Sequence, residues 1–227
     1  MKGVEVLALS KFKICGLRDL KNVVLASNCG AEMLGFVFVS GVRREISVQT
    51  ARKIIREYRE LVGSNGSDLV GLFANQSVNF VNEVVETCGL DYVQLCGEES
   101  PEYWDKVNGG VIRQVKVPIG QDLEVTISKT LSEVDVVLES GAIPILDRKE
   151  KGHLGGTGKS FNWDVAANIP DGNKFILAGG LTPSNVAEAI DVANPWMVDV
   201  STGVETEGEK DQYKIEIFSS AVKAIGN

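Results

Sequence analysis

The sequence predicts an α/β fold, a single-domain (β/α)8 barrel of the TIM type over residues 1–227, with residues 1–10 as a candidate N-terminal extension. Three observations predict it. Short runs rich in Val, Ile and Phe alternate with longer amphipathic stretches along the whole chain, the order expected of βα units built around a parallel sheet. No linker-like or low-complexity break interrupts them. The open doubly wound sheet is the other architecture with this alternation, but "CGLRDL" stands after the first strand where its G-x-G-x-x-G fingerprint belongs, and a count near eight units in 227 residues suits a closed barrel.

The units follow in order. "FKICG" is the first strand and a helix runs from Arg18 to about Asn28. "MLGFVFV" precedes a helix in which Val48, Ala51, Ile54, Ile55, Tyr58 and Val62 recur at helical spacing. "LVGLFA" leads into a helix with Ser77 as its N-cap and Gly89 as its stop. "DYVQLCG" leads to a helical start at Pro101, and "GVIRQVKV" is the fifth strand. Between Asp122 and Asp147 both "VDVVLE" and "AIPILD" have strand composition. Ile143–Leu146 is taken as the sixth strand, with "VDVVLE" either an extension of the preceding helix or an extra strand. "FNWDVAANI", "KFILAGG", "TPSNVAEAIDVA", "WMVDVSTG" and a helix from about Asp211 to Ile225 complete the chain.

Composition excludes several function classes. A formal charge of −8 argues against a broadly basic nucleic-acid surface. No apolar run approaches the ~20 residues of a membrane span, and Glu5 interrupts any signal-like N-terminus, so a cytoplasmic protein is expected, with no nucleic-acid or membrane partner. Cys15, Cys29, Cys88 and Cys96 form no C-x-x-C pair and His153 is the only histidine. That inventory offers no metal site of recognised spacing and no cofactor motif, and leaves the thiols free.

"GHLGGTGKS", Gly152–Ser160, falls one residue short of a phosphate-binding P-loop, because His153 occupies the position of the first glycine. It reads instead as a flexible, donor-rich βα loop able to close over a substrate. In such a barrel function gathers at the carboxyl ends of the strands. Those ends carry Cys15, Arg43-Arg44, Asn75, Gln94 to Gly97, Arg113 to Lys116, Asp147, Gly179-Gly180 and Asp199 to Gly203. Gly179-Gly180 and Ser201-Thr202-Gly203 follow strands seven and eight, where phosphate sites of such barrels form, so a phosphorylated small molecule is the expected ligand. Tight turns alone would also explain the glycines. Cys15 is either a buried small hydrophobe or, sharing a strand face with Lys13, a thiol whose pKa the ammonium lowers. Asp147 is either a loop anchor or an acid whose pKa burial raises. Arg44 is either solvated or a fork for an anion.

Taken together and in colinear order, "KICGLRD", "GFVFVSGVRREIS", "VGLFAN", "DYVQLCGEES", "ILDRKEKGHLGGTGKSFNWDV", "LAGGLTPSNV" and "DVSTGVETEGEKD" resemble phosphoribosylanthranilate isomerase, a barrel enzyme of tryptophan biosynthesis. The resemblance implies a cofactor-free and metal-free Amadori rearrangement of N-(5-phosphoribosyl)anthranilate. It implies Cys15 as general base, Asp147 as general acid, Arg44 on the anthranilate part and Asp199 lining the pocket. Gly179, Gly180, Ser201, Thr202 and Gly203 would cradle the phosphate, in a monomer or homodimer. The chain departs from the family at Cys96, where Gln-Leu-His-Gly is usual; this thiol either titrates near the site or merely packs. A related indole-glycerol-phosphate synthase would need a Lys/Glu pair, and a non-catalytic paralogue would bind the phosphorylated ligand without turnover.

Overall fold

The computed structural model describes residues 11–148 and 160–226. Eight parallel strands close into a barrel in sequence order: β1 Lys11–Cys15, β2 Met33–Val37, β3 Asp68–Phe73, β4 Tyr92–Leu95, β5 Gly110–Val117, β6 Ile143–Arg148, β7 Ile176–Leu177 and β8 Met197–Val200. Around them lie α1 Leu20–Asn28, α2 Val48–Val62, α3 Val78–Cys88, the single turn α4 Pro101–Trp104, α5 Leu123–Glu139, α6 Val186–Ala193 and α7 Gln212–Lys223. "VDVVLE" is helical, the last turns of α5; its apolar residues cover the sheet at helical spacing, with Val134 and Val137 buried. A 3-10 stretch, Trp163–Asn168, occupies the helix slot after β6. The candidate extension 1–10 and most of the glycine-rich loop lie outside the described residues.

Capping follows the sequence. Ser77 Oγ accepts from the Phe80 amide and Ser47 Oγ from the Thr50 amide at the starts of α3 and α2, each supplying a partner that the helix itself cannot. Gly89 ends α3 at φ 66° with its N–H on the Val85 carbonyl, a left-handed cap that favours glycine.

The strands are apolar on both faces because both are covered. Outward residues such as Phe12, Ile14, Leu34, Phe36, Leu69, Leu95 and Leu146 pack under the helices. Inward residues fill the barrel: Met33, Val70, Ile112, Ile145, Ile176 and Met197 form an apolar floor. Above it the filling turns polar, with Lys13, Gln94, Gln114 and Asp199 all buried. Lys13 lies opposite Asp199 in the β1–β8 register, and its Nζ donates to Asp199 Oδ1 at 2.8 Å with no solvent exposure at all. Burial opposes the ammonium's charge, but the attraction and hydrogen bond of Asp199, with Cys15 helping, hold the Lys13 pKa above its ordinary value.

Breaking such a pair strands a buried charge, which costs about 3–5 kcal/mol. Lys13→Met should therefore lower unfolding stability by roughly that amount, whereas Lys13→Met/Asp199→Leu should regain most of it. Denaturant unfolding of the two variants checks this, and equal losses in both would contradict it.

Candidate active site

Asp147 occupies the carboxyl-terminal end of β6, opposite Lys116 of β5. It is partly accessible from the barrel mouth yet ringed by protein. Gln114 Nε2 donates to its Oδ2 at 3.1 Å and the Arg148 amide to its Oδ1 at 2.8 Å. Burial pushes its pKa up to about 6, the Asp199 charge adds to that, and the two hydrogen bonds and Lys13 only moderate it. Gly179, at φ 83°, makes room for this carboxyl: a Cβ there would stand 2.9 Å from Asp147 Oδ1.

Cys15 ends β1 with 5% of its surface exposed. It faces Gly35 across the β1–β2 ladder, and a Cβ on that glycine would press to 3.2 Å from Sγ. Lys13 does act to lower this thiol, as one of the two sequence readings expected, but the net shift is upward. Burial raises the Cys15 pKa, Asp199 raises it further, and the lowering influences of Lys13, Lys210 and Arg44 do not outweigh them. The reason is burial, which disfavours the thiolate more than Lys13 favours it, and the Asp199 charge offsets part of the Lys13 attraction.

Cys96 enters the same chamber from beyond β4 and is itself buried. Burial pushes its thiol up to about 12, moderated by Gln94 Nε2, which donates to Sγ at 3.5 Å; Cys15 and Asp147 raise it as well. Of the two readings open for Cys96, the neutral packed thiol fits. Gln94 Oε1 is buried beside it with no hydrogen-bond partner among the described residues.

Arg44, Ser201, Thr202 and Gly203 come together on the other side of the mouth. Arg44 Nη2 donates to Thr202 Oγ1 at 2.7 Å and Ser201 Oγ to the Cys15 carbonyl at 3.0 Å. Gly180 sits at φ 68°, its carbonyl taking Asn185 Nδ2 at 3.1 Å. A Cβ on Gly203 would fall 1.9 Å from the Leu181 carbonyl oxygen, so the turns after β7 and β8 touch backbone to backbone. Asp199 is held inside the barrel by Lys13.

Sequence reasoning missed two residues that organise this side, Glu205 and Lys210. They face each other across a small antiparallel hairpin, β9 Glu205–Thr206 and β10 Glu209–Lys210. Glu207 and Gly208 turn it with φ 51° and 85°, so the Glu-Gly step was a readable hairpin signal. That Glu205 would meet Arg43 and Arg44, more than 160 residues upstream, was not. His153 and Lys159 lie outside the described residues. Among the described residues no cluster of three or more His, Cys, Asp or Glu stands ready for a metal ion, and no helix is long and apolar enough to cross a membrane.

Comparison with known proteins places the chain in a family. The family of N-(5'phosphoribosyl)anthranilate (PRA) isomerase matches residues 12–221. The chain is 38% identical to N-(5'-phosphoribosyl)anthranilate isomerase of Pelobacter propionicus over 94% of this chain and 95% of that protein. It is 39% identical to that of Bacillus mycoides, over 94% and 98%. The crystal structure of phosphoribosyl anthranilate isomerase from Thermotoga maritima superposes with a TM-score of 0.79 at 32% identity, covering 95% of this chain and 99% of that one. Another structure of such an isomerase, in complex with reduced 1-(o-carboxyphenylamino)-1-deoxyribulose 5-phosphate, gives a TM-score of 0.77 at 30% identity over the same shares. The chain belongs to the N-(5'-phosphoribosyl)anthranilate isomerase family.

Proposed function

We propose that the chain isomerises N-(5-phosphoribosyl)anthranilate to 1-(2-carboxyphenylamino)-1-deoxyribulose 5-phosphate, with Asp147 as general acid and Cys15 as general base. The observation that carries the reading is that an acid on β6 and a thiol on β1 point into one desolvated chamber and feel the same Lys13–Asp199 pair. Protonated Asp147 gives its proton to the ribose ring oxygen, the C1′–O bond breaks, and the nitrogen lone pair forms the Schiff base. The Cys15 thiolate then removes the C2′ proton; its bonding electrons form the C1′–C2′ double bond of the enolamine. Tautomerisation to the ketone completes an isomerisation in which no atom is gained or lost. Asp199 lines the pocket, Arg44 engages the anthranilate carboxylate, and Gly179, Gly180, Ser201, Thr202 and Gly203 receive the phosphate. The left-handed φ of Gly179 and Gly180 and the absence of a side chain at Gly203 support that last role, because they let the backbone approach a ligand closely.

Titration order gives the scheme a recognisable pH dependence. Asp147 titrates at about 6 and Cys15 above the ordinary thiol value of 9.0, so the base lies above the acid. Thiolate with carboxylic acid is then a minor tautomer of thiol with carboxylate, and carries the same number of protons. Its share is constant between the two pKa values, lost below the lower one as both groups protonate and above the upper as both ionise. kcat/KM should be flat from about pH 6 to about 9; a steep decline between pH 7 and 8 would contradict the assignment.

Purified Cys15→Ala and Asp147→Asn should each lose about 10²–10⁴-fold in turnover of phosphoribosylanthranilate. Near-normal rates in either variant would remove that residue from the scheme, and binding without turnover by the parent chain would favour a non-catalytic paralogue. Asp147→Asn should also be the more stable protein at pH 8. A carboxyl with a raised folded-state pKa is unfavourable when ionised, above about 6, and costs nothing below the unfolded value near 3.8. Allowing for partial solvent access, the gain should be about 2 kcal/mol, vanishing below pH 4; unfolding at pH 8 and at pH 3.5 measures it.

A further inference from the structure

The acid–base scheme leaves one part of the rim unused. Glu205 is 4% exposed at its side chain and carries three cations. Arg43 Nη2 donates to Oε2 at 2.5 Å, Lys210 Nζ to Oε1 at 2.9 Å, and Arg44 grips both oxygens, Nε to Oε1 at 2.6 Å and Nη2 to Oε2 at 2.9 Å. Burial raises the Glu205 pKa, but the Arg44 hydrogen bond and the Lys210 charge and hydrogen bond outweigh it and hold the carboxyl below its ordinary value. One carboxylate among three cations leaves the rim with positive charge in excess.

The geometry of Arg44 directs that excess. Its Nε/Nη2 edge is held by Glu205 and Nη2 is also tied to Thr202 Oγ1, which fixes the guanidinium plane. Its Nη1 has no hydrogen-bond partner among the described residues. Gly16, at φ 79°, lies against the Arg44 stem: a Cβ there would come within 2.4 Å of Cδ. A guanidinium whose Nε and Nη2 are both engaged, with Nη1 left to donate, is preorganised to present Nη1 to a second carboxylate, because the rotamer entropy of the long side chain is already spent. Lys210 carries the same clamp to the next turn, donating to the Ser201 carbonyl at 2.8 Å.

We infer that Glu205 is a positioning residue for substrate recognition: it orients Arg44 toward the aryl carboxylate and thereby sets the preference for a carboxylated arylamine. The inference rests on the reading of Arg44 as the group that engages the anthranilate part.

The test compares N-(5-phosphoribosyl)anthranilate with N-(5-phosphoribosyl)aniline, which lacks the carboxylate, on the parent protein, Glu205→Gln, Glu205→Asp and Arg44→Met. Glu205→Gln should raise KM for the anthranilate substrate about 10- to 100-fold, the worth of one charge-assisted contact, with a much smaller change in kcat. Its KM for the aniline substrate should stay within about threefold of the parent's, a change too small to reflect loss of such a contact. Glu205→Asp, which keeps the charge but is too short to hold both Arg44 nitrogens, should fall between, and it carries the test if the Gln variant does not fold. Equal losses on both substrates would mark Glu205 as merely structural and overturn the proposal. If Arg44→Met loses the discrimination while both Glu205 variants retain it, the proposal alone fails. If Arg44→Met retains it too, the assignment of Arg44 fails and takes the proposal with it.

Discussion

The ion pair of Lys13 with Asp199, fully buried at the lysine and nearly so at the carboxylate, acts on both titratable groups above it. Lys13 acts to lower both Cys15 and Asp147, against burial, which is the largest influence on each. Asp199 acts on both in the opposite sense. The pair presents a dipole rather than a charge, and desolvation then dominates both titrations. The register of β1 on β8 that brings the two residues opposite each other thus bears on the proposed chemistry as well as on the fold.

Desolvation has a cost that the rest of the chain offsets. An ionised Asp147 ringed by protein is less favourable than the same group in water, a typical sacrifice of stability at a working site. Rigid neighbours keep it there: Gln114 from β5, the Arg148 amide, and Gly179, whose missing side chain leaves the carboxyl its place. On the opposite side, the β9–β10 hairpin folds Lys210 and Glu205 back over the ends of β1 and β8, so that a segment remote in sequence completes the rim around Arg44.

Much of the fold was legible in the sequence because it depends on local pattern. The inward–outward alternation of β1, the Ser77 and Gly89 caps of α3 and the sixth strand ending in Asp147 all follow from residues close to one another. "VDVVLE" was ambiguous because β-branched residues at i and i+3 suit a covering helix as well as a buried strand. Asp147 was found by position, and burial moved its pKa in the direction foreseen. Cys15 was found likewise, but the sign of its shift is set first by burial in the closed barrel and then by Asp199, which is 184 residues away, and neither can be read from the strand around it. Glu205 was missed for the same reason: its significance lies in Arg43 and Arg44, and nothing near it in the chain announces them.

Enclosure in the barrel mouth, rather than a neighbouring base or cation, raises the carboxyl pKa of Asp147, the proposed acid. This is tested most directly by following the carboxyl carbon of Asp147 by 13C NMR in the protein labelled at aspartate, with Asp147→Asn used to assign the signal. The midpoint is expected near pH 6. A midpoint at or below the ordinary aspartate value of 3.8 would contradict it.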